Sequence, residues 1–120
     1  MIDMEATVIQ ALETDPFLSG LVGDKVFRWS VPDKYANRYP YVRVAELDNT
    51  DNNYRDNQAG ASDIDMQVDF WVKGDPSAIQ TAINKVMRSL QFKRTGVTSF
   101  YEEDTRALRK VMRYRTKVKL

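Results

Sequence analysis

Residues 63–90, DIDMQVDFWVKGDPSAIQTAINKVMRSL, change their hydrophobic period once and abruptly. Ile64, Met66, Val68, Phe70 and Val72 alternate with Asp65, Gln67, Asp69, Trp71 and Lys73. That is the period of two expected of a strand with one apolar face. Gly74-Asp75-Pro76-Ser77 then supplies a turn, a helix cap and a proline suited to the first helical position. Beyond it Ile79, Ala82, Ile83, Val86, Met87 and Leu90 recur at helical spacing. A two-faced strand running into a two-faced helix buries both stripes only if the helix folds back over the sheet. At about 1.5–3 kcal/mol per large buried side chain, strand and helix depend on each other.

The rest of the chain supplies partners for this unit. Met4, Val8, Ile9, Ala11 and Leu12 predict a helix over 4–14, with Asp3 as its cap and Pro16 ending it in a turn around Phe17–Leu21. Val26, Phe27 and Trp29 predict a short strand, and Tyr41, Val42, Val44 and Leu47 another that opens at Pro40. Residues 48–62 hold no aliphatic side chain larger than alanine and predict a long polar loop. Val97–Tyr101 reads as a strand, and Glu102-Glu103-Asp104-Thr105 as a turn. Over 107–119, Leu108, Met112, Tyr114, Thr116 and Val118 share one face; helical spacing competes over 104–114, but Tyr114-Arg-Thr-Lys-Val favours a strand. The expected fold is a single α+β domain over 1–120, an antiparallel sheet of about four to five strands with two helices packed on one face.

Composition excludes more chemistry than it suggests. The 120 residues contain no histidine and no cysteine, so disulfides, thiolate metal sites and the commonest general base are absent. No run approaches the roughly 18 apolar residues of a membrane span. Acids in MIDMEATVIQALETD stand where a signal peptide carries lysines, which argues against export by that route. Asp48-Asn-Thr-Asp-Asn-Asn lacks the glycine and final glutamate of a calcium loop. Asp63, Asp65 and Asp69 share a strand face, a pattern that suits a solvated surface or arginine partners better than a metal. No serine lies in a Gly-x-Ser-x-Gly elbow, and the chain is expected to be no enzyme and to use no cofactor.

Charge gives the sharpest positive signal. The formal net charge is +1, yet residues 1–24 carry five acids and no base, and residues 46–69 seven acids against Arg55. Residues 105–120 carry seven bases and no side-chain acid. Such segregation suits head-to-tail association of copies, or neighbouring strands that cancel within one chain. Candidate interface residues are Asp56, Asp65, Asp69, Trp71, Arg109, Arg113, Arg115, Lys117 and Lys119. Arg113, Arg115 and Lys117 of one copy are expected to face Asp56, Asp65 or Asp69 of the next. A nucleic-acid module using the basic C-terminal strand competes, although that strand lacks interleaved aromatics to stack bases.

The order YPYVRV, QVDFWVKG and FYEEDTRALRKVMRYRTKVK, behind an amphipathic helix and GDKVF, resembles the small tail-completion or tail-terminator proteins of long-tailed, siphovirus-type bacteriophages. The resemblance spans nearly the whole chain. It implies a non-enzymatic virion protein, assembled in the host cytoplasm, that caps the head-proximal end of the tail tube as a hexameric ring. Such a ring ends tail growth and allows head–tail joining. The implied partners are further copies, the major tail tube protein and a head connector or head-closure protein, with packaged DNA passing through the ring and no membrane. A head–tail adaptor is the alternative role.

Overall fold

A computed structural model describes residues 3–52 and 60–119. The chain runs α1 (Glu5–Thr14), α2 (Pro16–Val22), β1 (Val26–Arg28), a 3-10 turn (Asp33–Tyr35), β2 (Tyr41–Asn52), β3 (Ala61–Val72), α3 (Ser77–Ser89), β4 (Lys93–Glu102) and β5 (Ala107–Lys119). The five strands form one sheet in the order β1-β2-β3-β5-β4. It is antiparallel except that β1 runs parallel to β2.

The period change at Gly74 produces the expected unit. Gly74 takes φ 118°, a left-handed value suited to glycine, and the Asp75 carboxylate accepts the Ser77 N–H at 2.9 Å. Ile79, Ala82, Ile83, Val86 and Met87 of α3 are buried against Ile64, Met66, Val68, Phe70 and Val72 of β3 in a single core. Met112 and Tyr114 of β5, Val42 and Val44 of β2, and Val8 and Leu12 of α1 complete it. Residues 107–119 are a strand, as the run after Tyr114 indicated.

Three expectations are corrected. Pro16 starts a helix where a turn was expected: it lies at the first helical position and the Asp15 carboxylate accepts the Leu18 N–H at 2.9 Å, so the described residues hold three α-helices. The sheet is mixed, because the short β1 enters beside β2 in the same direction. The loop expected over 48–62 is corrected at both ends, since β2 continues to Asn52 and β3 begins at Ala61. Its polar residues sit in the ladder because their side chains find partners there: Ser62 donates to Asp51, Asn49 to Glu46, and Thr50 to Asp48. Residues 53–59, with the candidate Asp56, lie outside the described residues.

Candidate functional site

The helices among the described residues pack on the side of the sheet that carries Ile64, Met66, Val68, Phe70 and Val72, and the candidate residues of β3 and β5 alternate onto the other side. Strand alternation decides what appears there. In the β3–β5 register Asp63 stands opposite Lys117, Asp65 opposite Arg115, Gln67 opposite Arg113, and Trp71 opposite Arg109. The acidic segment and the basic segment are therefore adjacent strands, and Asp63, Asp65 and Asp69 meet Lys117, Arg115 and Arg109 inside one chain. Arg115 Nε donates to Asp65 Oδ1 at 2.6 Å and its Nη2 to Oδ2 at 3.0 Å, a two-point pair. Lys117 Nζ lies 3.7 Å from Asp63, and Arg113 Nε donates to Gln67 Oε1 at 3.2 Å. The hydrogen bond from Arg115 holds the Asp65 carboxyl below its usual range, and the same bond raises the Arg115 guanidinium.

Asp69 is the centre of this face. Among the described residues no helix covers it, yet it is 0% exposed. Its Oδ2 accepts from Arg43 at 2.7 Å and from Arg109 at 2.6 Å. Among the described residues its Oδ1 and Arg43 Nε have no hydrogen-bond partner. Beside it runs a stripe of rings and cations across four strands. Arg109 lies 5.9 Å from the Phe100 ring and 5.3 Å from Trp71; Trp71 packs on Tyr41 at 5.1 Å, and Tyr41 on Tyr39 at 5.3 Å. Trp71 Nε1 donates to Glu102 at 3.0 Å. Burial, and then the neighbouring Tyr39, pushes the Tyr41 hydroxyl up to about 12. Rings and guanidinia fixed in this way form a rigid surface of the kind enriched at interfaces.

Asp65, Asp69, Trp71, Arg109, Arg113, Arg115 and Lys117 thus share the helix-free face. Lys119 ends β5 and is exposed, opposite Ala61. Sequence reasoning missed Arg43, Tyr41 and Glu102. Arg43 had a signal, because it alternates in phase with Tyr41 and Ala45. Glu102 had none, since only the β4–β5 turn brings it to Trp71. Glu5 is the acidic residue of the first turn of α1 and is buried. It binds Arg28 at 2.7 Å, Trp29 Nε1 at 3.0 Å and the Glu46 N–H at 2.8 Å, joining α1 to the β1–β2 edge. Among the described residues no three metal-ligating side chains cluster, and no helix is long and apolar enough to cross a membrane.

The family model for tail completion protein gp17 matches residues 6–119. The chain belongs to this family. It is a phage tail completion protein, a structural and non-enzymatic component of the virion. Its fold is similar to that of a chain in the virion of a native gene transfer agent particle, with a TM-score of 0.75 and 19% identity. That match covers 98% of this chain and 95% of the other. No curated relative matches the chain.

Proposed function

We propose that this tail completion protein forms a closed ring, a hexamer, on the head-proximal end of the tail tube. The ring ends tube growth and offers the surface on which a head connector or head-closure protein docks, with packaged DNA passing through its centre. The observation that carries this reading is a family match over nearly the whole chain to proteins that complete tails. The fold supports it with two unlike sheet edges, the requirement for a heterologous contact that closes on itself. The helix-free face, with Asp65, Asp69, Trp71, Arg109, Arg113, Arg115 and Lys117, is the proposed surface for tube or connector, and Asp56 and Lys119 flank it in the sequence. Its bases are largely engaged by its own acids, which favours protein contact over a row of phosphates.

Particles produced without the protein test the proposal. Overlong or unattached tails, seen by electron microscopy, are the expected result. Tails of normal length joined to full heads would contradict it. Attached tails with heads that leak DNA would transfer the role to a head–tail adaptor.

A further inference from the structure

On the helix-free face Asp63, Asp65 and Asp69 are paired with bases of the same chain, but charges on the outer strands are not. Among the described residues Glu46 and Asp48 of β2 and Lys93 and Arg94 of β4 form no ion pair. Asp48, Lys93 and Arg94 are exposed. These charges lie on opposite sides of the sheet, and the register relates them row by row. Glu46 pairs with Met66, Met66 with Tyr114, and Tyr114 with Arg94. One row further on, Asp48 pairs with Asp65, Asp65 with Arg115, and Arg115 with Lys93. Directly paired residues share a face of the sheet. Glu46 and Arg94 are therefore level on the helix side, and Asp48 and Lys93 level on the helix-free side.

We propose that neighbouring copies meet edge to edge, the β4 edge of one against the β1–β2 edge of the next, with their strand rows level. The inference rests on the ring reading and supplies its contact. Placed side by side without offset, each copy sets Lys93 beside the neighbour's Asp48 and Arg94 beside the neighbour's Glu46. The β1 strand covers only the rows of Val42–Val44. At the acidic rows β2 and the neighbour's β4 stand about two strand spacings apart, about 9.6 Å, which lysine or arginine reaching toward a carboxylate spans.

A third row fits independently. Trp29 follows β1 and donates its N–H to Val44 O at 2.9 Å, which sets it near the row of Ala45. That row runs through Gln67 and Arg113 to Gly96. Trp29 is 61% exposed, holds a left-handed φ of 71°, and has its indole N–H fixed by buried Glu5. A non-glycine residue in that conformation is strained, so the indole is held outward by the surrounding bonds. Gly96 has nothing within 4 Å of where a Cβ would stand. An aromatic ring laid over an edge glycine completes such a row. The backbone of β1 limits a continued hydrogen-bond ladder, since the Val26 N–H goes to Asp24 O and the Ser30 N–H to Arg28 O. Side chains therefore carry the contact.

The chain has no cysteine, so an introduced pair reports cleanly. Full-length protein carrying Asp48→Cys and Lys93→Cys is treated with a short thiol-specific bis-maleimide cross-linker, because two strand spacings exceed the reach of a disulfide, and run on a denaturing gel, beside native mass spectrometry of the unmodified chain. The expected result is a covalent series ending at the ring size, absent from a Thr81→Cys, Lys93→Cys control. Lys93→Glu is expected to lower ring yield about tenfold, and addition of Asp48→Lys to restore it. Rings that form without the Asp48–Lys93 cross-link overturn the edge contact and leave the ring reading standing. A chain that neither forms rings nor cross-links overturns both.

Discussion

The two faces of the sheet are both buried at their centre, by different means. Under the helices, Phe70, Met66, Val68 and Met112 are closed off by apolar side chains of α1 and α3. On the other face no element covers Asp69, which is sealed between the guanidinia of Arg43 and Arg109 beside a row of rings. The first face is held by non-directional burial and tolerates any side chain of the right volume. The second is held by directed bonds and fixes where each charge and ring points. The difference teaches that the helix-free face is finished within the chain. In the proposed ring, association falls to the outer strands and to the rigid surface that the face presents.

Breaking the apolar face has the largest expected effect. Phe70→Ala is expected to destabilise by about 3–5 kcal/mol, read by denaturant unfolding, because the helices above it collapse only partly into the cavity. On the other face Asp69→Ala is expected to cost less, about 1–3 kcal/mol, since two guanidinia lose their shared acceptor but are exposed enough to relax partly into water. A loss equal to that of Phe70→Ala would erase the distinction between a packed face and a bonded one.

The pH dependence sharpens the comparison. Asp65 is depressed in the fold by Arg115, so its contribution is fully present above its unfolded value, near 3.8, and is lost as pH falls through the lower folded value. Asp51 and Asp75, lowered by bonds from Ser62 and Ser77, act with the same sign. Thermal stability is expected to hold above about pH 5 and to fall in the acid range. Asp65→Asn should flatten that acid limb without altering the plateau's shape. The smallest effect belongs to the rim of the ladder. Lys117→Ala, whose ammonium lies 3.7 Å from Asp63, is expected to change stability by less than about 0.5 kcal/mol, within the range of exposed pairs.

Much of this was legible in the sequence where order along the chain sets the structure. The alternation in β3, the Gly74–Ser77 stop and the stripe of α3 are local, and periodicity reads them directly. The intrachain charge ladder was half legible: the acidic and basic segments were visible, and so was the possibility that they cancel, but register alone decides which acid meets which base. Pro16 was misread because a proline serves a helix start as well as a helix end, and the Asp15 cap before it was the overlooked signal. β2 outran its expected end because Asn and Asp can stay in a ladder when side-chain partners lie along the same strand or opposite, as Glu46 does for Asn49 and Ser62 for Asp51. Glu5 and Glu102 were illegible, since their partners lie 23 or more positions away.

The central claim is that this protein acts by fitting its faces and edges against copies of itself and other virion parts. Electron cryomicroscopy of the intact particle at the junction of head and tail tests it most directly. A single closed ring of this chain, edge beside edge at the tube's upper end, is the predicted density. A map in which that position is filled by another protein, or in which this chain sits there as isolated copies, would contradict the account.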